Sequence, residues 1–337
     1  MRSRVLLAAL LSALLAVAGC GGDDDTPADP VSRVPAEGGL QERVRAAAAP
    51  AEADFPAADG KTLAGLAEEV KGGGLVEAGL ATSVFTVGDA RVAFGVIDDQ
   101  GQFVYGKTAI YVARAPDQPA KGPFVAPADV LVTEGRYRSR QAAEETDPFA
   151  AVYQAQVPFD KTGKWSILTV TERDGAWVAA PFEVEVSTAK ADQIPDVGEP
   201  APKVATDTLE SAKGDVEQID TRVPPSDMHE SSFEDVVGTK PVALLFATPQ
   251  LCQSRVCGPV TDVALQLKAK YGDRMEFIHQ EVYVDNDPAA GLRDPLQQFR
   301  LRTEPWLFVV GEDGKVTARL EGSFGLTAFE EAVKTAL

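Results

Sequence analysis

The chain has 337 residues, enough for two domains of ordinary size, and its 45% hydrophobic and 25% charged content fits soluble globular material. Against 32 Lys and Arg stand 51 Asp and Glu, a formal charge of −19. So acidic a surface repels phosphate backbones and anionic headgroups, which argues against nucleic acid as a partner.

Arg2 and Arg4 precede an unbroken run of apolar and small residues from Val5 to Gly19. That run is short for a membrane span, which takes about 20 residues. It ends in VAGC (17–20), followed by GGDDDTPADP. This resembles the lipobox of bacterial lipoproteins, in which the cysteine is lipidated and becomes the mature N-terminus. The resemblance implies a signal peptide over residues 1–19 and lipidation of Cys20. It also implies a place on the extracytoplasmic face of the cell membrane, where disulfides persist. With Cys20 capped by lipid, Cys252 and Cys257 have only each other as partners within the chain.

Residues 20–58 are rich in Gly, Asp, Pro and Ala with little periodicity, which predicts a flexible tether. A short amphipathic helix is expected within 59–77, where Leu63, Leu66, Ala67 and Val70 recur at helical spacing before three glycines. From 78 to 188 the period changes to two, in RVAFGVIDD, TAIYVARA, VYQAQVPFD, GKWSILTVTE and FEVEVS, with DDQG, DKTG and ERDG as turns. Short strands with no helix between them predict an antiparallel β-sandwich domain. FDKTGKWSILTV resembles the small immunoglobulin-like domains of bacterial surface proteins. This segment has no His, Cys or Met, so it lacks soft-metal ligands. Trp165 and Trp177 are expected to pack in the core or at turns.

A linker over 189–206 precedes a second domain, 207–337. KPVALLFAT (240–248) and MEFIHQEVYVD (275–285) read as strands buried on both faces. Between them GPVTDVALQLKAKY (258–271) is helical, with Pro259 suited to the first position. Helical pieces broken by Pro295 follow, then a hairpin in WLFVVGEDGKVTARLEG, then a last helix whose Thr327 and Glu330 have capping-box spacing. That order predicts an α/β unit with a mixed sheet flanked by helices.

Cys252 and Cys257 stand in ATPQLCQSRVCGPV (247–260), between a buried strand and a helix N-terminus. There the unpaired backbone N–H groups and the positive end of the dipole favour a thiolate, and Arg255 would add to that. One regular helix cannot hold the bridge, because five positions turn the chain by about 500° and leave the side chains about 140° apart. Cys252 must therefore lie in a loop before the helix.

The region from about 195 resembles the thioredoxin superfamily. The likeness rests on GEPAP (198–202), the LLFAT strand, the cysteine-bearing helix start, and RTEPWLFVVGEDGKV (302–316). The family motif is C-x-x-C, whereas this chain has C-x-x-x-x-C. The resemblance implies that Cys252 and Cys257 are the redox pair and that Pro305 is a cis-proline facing them. CGPV (257–260) resembles the family's CGPC and would make Cys257 the nucleophile, while the helix length fits Cys257 as the second, buried cysteine. The assignment favoured here takes Cys252 as nucleophile and Cys257 as resolver.

Thiol–disulfide exchange on extracytoplasmic client proteins is the function this resemblance implies, with no cofactor and no metal. Two alternatives stay open. One is a non-catalytic surface-binding lipoprotein with a structural disulfide, although so short a loop stabilises by only about 2 kcal/mol. The other is a metal-binding protein of the same fold using the cysteines with His229 and His279: two Cys and two His would suit zinc, and two Cys and one His copper, as in the copper-chaperone branch. That branch uses C-x-x-x-C and a histidine just before the later strand, where this chain has Arg302, Thr303 and Glu304. His279 is expected as a buried, hydrogen-bonded strand residue and His229 as a loop residue.

Overall fold

The computed structural model describes residues 29–70, 72–140, 142, 149–252 and 255–337. The expected signal peptide and Cys20 lie outside the described residues. Three sheets carry the architecture. The first has order β1 (Val76–Leu80), β3 (Gly88–Asp98), β7 (Ala151–Phe159) and β6 (Ala128–Val130), all antiparallel. The second has order β2 (Phe85–Thr86), β9 (Ala176–Ser187), β8 (Gly163–Arg173), β4 (Thr108–Ala113) and β5 (Lys121–Val125). They stack over one core in which Val92, Phe94 and Val96 of β3 meet Ile110 and Val112 of β4 and Trp165 and Ile167 of β8. Trp165 packs edge-on to Phe159 and donates Nε1–H to the Lys161 carbonyl at 3.0 Å. The β8–β9 hairpin turns at Asp174 and Gly175, whose φ of 51° and 77° match the tight turn that ERDG encodes.

The outer faces of these two sheets are also covered, which the strand alternation does not announce. Helix α2 (Leu63–Glu69), capped by Thr62 Oγ1 accepting from Gly65 N–H at 3.0 Å, buries Leu63 and Leu66 against Tyr111 and Leu168. The described part of the expected tether carries regular structure. A 3-10 turn, Pro30–Arg33, and helix α1 (Leu40–Ala48) send Val31, Val34, Val44 and Ala47 into the sandwich core. Small aliphatic residues suffice for that docking, so their modest hydrophobicity hid it among polar neighbours.

The third sheet has order β11 (Glu276–Gln280), β10 (Val242–Phe246), β12 (Trp306–Val310) and β13 (Val316–Glu321). β10 and β11 run parallel, and β12 and β13 are antiparallel to their neighbours. The parallel pair needs a crossover, supplied by α4 (Cys257–Tyr271). Helices α3 (Phe233–Val236), α5 (Asp294–Gln298) and α6 (Leu326–Lys334) complete it. Pro295 does not break a helix but sits in the first turn of α5, where no N–H is needed. The segment expected as a linker runs along β13, with Gly198 N–H to Val316 O at 2.8 Å and Val316 N–H to Glu199 O at 2.9 Å.

The sandwich and this third unit share a core. Ala93, Leu131 and Val152, from the outer face of the first sheet, join Leu245, Val260, Val263 and Phe329 in one cluster. Polar groups fix the contact. The capping-box spacing of Thr327 and Glu330 does not cap α6, whose N-cap is Gly325 without a side-chain bond. Asp129 of β6 caps it from outside, accepting from Gly325, Thr327 and Ala328 N–H at 2.8, 2.8 and 3.1 Å. Arg91 of β3 donates to Gln154 Oε1 at 2.8 Å, to Glu321 O at 3.1 Å and to Ser323 O.

Candidate functional site

β10 ends at Phe246, and Ala247 and Thr248 lead into the loop that carries both cysteines to the start of α4. Leu251 and Cys252 N–H both donate to the Thr248 carbonyl, at 3.3 and 3.2 Å, and Arg255 N–H donates to the Cys252 carbonyl at 3.1 Å. The loop thus curls like a helical turn. Arg255, with φ of 60°, breaks that turn before α4 begins. Gln253 and Ser254 lie outside the described residues. Cys257 takes the first position of α4 and Pro259 the third, which tolerates proline because its N–H would be unpaired. The two cysteines are free thiols, and their side chains are hydrogen-bonded to each other. Cys257 is fully buried, whereas Cys252 keeps 9% of its surface exposed.

The electrostatics differ from the sequence expectation. Burial pushes the Cys257 thiol well above its usual value, and the bond to Cys252 pushes it further. A hydrogen bond from the Thr248 backbone N–H pulls the other way without prevailing. The helix N-terminus therefore does not make Cys257 a ready thiolate. Glu304 is a charged neighbour of the pair, and its charge also pushes the Cys257 thiol up. Burial first, and then the charge of Cys252, pushes the Glu304 carboxyl up. Tyr283 donates to Glu304 Oε1 at 3.3 Å, and its phenol is pushed up to about 12, by burial first and then by Glu304.

The Glu304–Pro305 peptide bond is cis. Pro305 is buried and its carbonyl accepts from Gly322 N–H at 2.8 Å. Trp306 behind it is packing: it is buried, stacks on Phe308 and donates to Thr303 Oγ1 at 3.1 Å. Beside the cysteine loop a cavity of about 350 Å³ opens between the two units. Leu80, Ile97, Phe103 and Phe149 line one side, and Val256 and Glu304 the other. Sequence reasoning missed Glu304 and Tyr283. The Glu-Pro pair at 304–305 was the only local signal for the first, and nothing marked the second.

The two histidines come together away from solvent, joined by Asp220. His229 Nε2 lies 3.0 Å from Asp220 Oδ2 and 3.3 Å from Ser226 Oγ. His279, on β11, donates Nε2–H to the Ala247 carbonyl at 3.0 Å and turns Nδ1 toward Asp220 Oδ2 at 3.4 Å. That contact is within ion-pair range but is not a hydrogen bond, and Nδ1 has no hydrogen-bond partner among the described residues. Asp220 also accepts from Arg222 and Ser226 N–H, at 2.8 and 2.6 Å. Burial alone would raise the Asp220 carboxyl, but His279 and His229 hold it well below the usual carboxylate range. His229 is thus a loop residue, as expected, and is buried as a member of a polar cluster.

Neither a family model nor a curated protein matches the chain. Two solved structures are similar in part. One is described as a candidate thiol:disulfide interchange protein DsbE of Chlorobium tepidum, 17% identical, covering 42% of this chain and 98% of that one at a TM-score of 0.30. The other is a thiol:disulfide interchange protein of the thioredoxin family from Chlorobium tepidum TLS, 15% identical, covering 41% and 94% at 0.28.

Proposed function

We propose that this chain is a membrane-anchored, extracytoplasmic thiol–disulfide exchange protein, with a thioredoxin-like C-terminal domain following an immunoglobulin-like sandwich. The observation that carries the reading is the thiol pair itself. Two buried cysteines in hydrogen bond stand at the start of α4, Cys257 fully sealed and Cys252 with 9% of its surface exposed. That asymmetry suits a nucleophile and a resolver. The Cys252 thiolate attacks one sulfur of a client disulfide and releases the other as a thiolate. Cys257 then loses its proton, attacks the Cys252 sulfur and displaces the second client thiol. The client gains two electrons, and the chain is left with a Cys252–Cys257 disulfide that a second dithiol must reduce, or the sequence runs in reverse. Pro305 follows Glu304, whose charge acts on Cys257, and the 350 Å³ cavity lined by Val256 and Glu304 supplies an apolar surface for a client segment.

A staple of structural kind is less well supported, because so short a loop adds only about 2 kcal/mol of stability. The copper-chaperone reading needs a histidine turned to the thiols, whereas the ligand cluster formed by both histidines contains Asp220 and no cysteine.

Trapping tests the proposal. Cys257→Ser should accumulate mixed disulfides through Cys252, and Cys252→Ser should accumulate few. No trapped client in either variant would sink it, and the reverse pattern would make Cys257 the nucleophile. Anchoring is tested separately: Cys20→Ser should leave the membrane fraction, and a variant that stays bound at high salt would end the lipoprotein reading.

A further inference from the structure

Asp220, His229 and His279 are the described residues whose ligand atoms converge, all lying within 4.8 Å of one another and all buried. They come from three places: the segment after 218, the loop before α3, and β11. A chain that gathers two imidazoles and a carboxylate out of water must supply something to hold them.

The proton arrangement makes the need specific. His279 spends its Nε2 hydrogen on the Ala247 carbonyl. In its neutral form the ring would aim a bare Nδ1 lone pair at the carboxylate oxygen 3.4 Å away, in a buried interior where the Asp220 charge pushes the imidazole up toward its protonated form. Two acceptors facing each other require a positive charge between them. A proton or a metal ion would supply it, and three features favour the metal.

The first is geometry. With bonds of about 2.0–2.2 Å, ligand atoms around a tetrahedral zinc stand about 3.3 Å apart. Asp220 Oδ2 lies 3.0 Å from His229 Nε2 and 3.4 Å from His279 Nδ1. The second is outer support. The far nitrogen of His279 is pinned to a backbone carbonyl, and Asp220 Oδ1 accepts from Arg222 N–H, the kind of contacts that orient metal ligands. Ser226 Oγ, 3.3 Å from His229 Nε2, offers a fourth oxygen. The third is charge. Buried Glu281, held by Thr221 and Val282 N–H, also acts on His279, so two carboxylates are present to neutralise a dication where one proton would leave an excess.

We propose that Asp220, His229 and His279 bind one divalent first-row transition-metal ion, with zinc the best fit. The donors are nitrogen and oxygen with no thiolate, which does not suit copper(I). This site is distinct from the cysteine pair and stands or falls independently of the exchange chemistry. Because it is closed to solvent, the ion is taken up as the chain folds.

The test is cobalt loading. The full chain, stripped with chelator in urea, is refolded with Co²⁺ and then challenged with Zn²⁺. The expected result is one cobalt per chain, with visible d–d bands, no sulfur-to-cobalt charge-transfer band in the near ultraviolet, and displacement by zinc. The Cys252→Ser/Cys257→Ser double variant should load identically. Asp220→Asn, His229→Ala and His279→Gln should each weaken binding by about 100-fold or more, beyond the 10–100-fold typical of outer-shell changes. If those variants fail to fold, the wild type and the cysteine variant decide alone. Wild-type chain that refolds without retaining cobalt or zinc at about 100 µM metal, a Kd scale of only about 5–6 kcal/mol, overturns the proposal. So does cobalt that shows the sulfur band and is lost with the cysteines.

Discussion

Replacing Asp129 by Ala removes the two oxygens that receive the first N–H groups of α6, and with them a junction between the sandwich and the third sheet. An exposed N-cap is worth about 0.5–2 kcal/mol. Here the loss is larger, because the bonds to Gly325 and Ala328 are buried and their donors have no water to turn to. A bare buried donor costs about 1–3 kcal/mol, while the half-buried Thr327 N–H regains solvent. Against this, the mutation relieves the burial of a carboxyl whose desolvation pushes its pKa up. The balance gives about 2–4 kcal/mol of destabilisation. Asp129→Asn keeps one acceptor oxygen and should lose roughly half as much. Urea unfolding of the full chain measures both, and hydrogen exchange at Gly325 and Ala328 localises the effect. A loss below about 1 kcal/mol for Asp129→Ala, outside the range for one buried donor, would refute the claim that α6 is capped by the sandwich.

The raised Cys257 thiol predicts that release of a client from Cys252 speeds up as pH rises and is still climbing above pH 9, the ordinary thiol value. Quenched-flow resolution of a mixed disulfide checks this, and Glu304→Gln should move the climb to lower pH, since the Glu304 charge also raises Cys257. Burial raises the Asp262 carboxyl to about 6, against its Arg222 partner at 2.8 Å. Its unfolded counterpart ionises near 3.8, so between about pH 4 and 6 the unfolded chain gives up its proton first. Stability attributable to this group therefore falls as pH rises through that window, by roughly 2–4 kcal/mol, and stays lower above it. Asp262→Asn should flatten that slope in urea titrations at successive pH values, and an unchanged slope would disprove the assignment.

Local chemistry made some of this legible and topology hid the rest. ERDG announced its turn because Asp174 and Gly175 alone had to adopt positive φ. KPVALLFAT read as a central strand because both faces of β10 are apolar. The cis bond at 304–305 was implied by the resemblance of RTEPWLFVV to the thioredoxin superfamily and by nothing in the local pattern itself. Asp129, by contrast, sits in a three-residue edge strand and acts on amides almost 200 positions away. Nothing in its neighbourhood marks it. Asp220 and His279 are similarly remote, and neither flanks a motif, so the sequence joined the two histidines to the cysteines and not to Asp220. The cysteine loop misled in another way: helix position predicted an easy thiolate, but burial outweighs the dipole at Cys257.

The first sheet wets neither of its faces in the middle. Val92 and Phe94 face one core, and Ala93 between them faces another. A cut at 206 would therefore not separate two proteins along a seam. It would strip α4 and α6 of a wall, exposing Val260, Val263 and Phe329, and would take away the carboxylate that starts α6. The helix carrying Cys257 is thus seated partly on the sandwich, so the thiol pair's surroundings are shared property of both halves of the chain. Ala93 of β3 and Val152 of β7 belong to the same hydrophobic cluster as Cys252 and Cys257, so a change in the packing of either strand falls within the cysteines' own core.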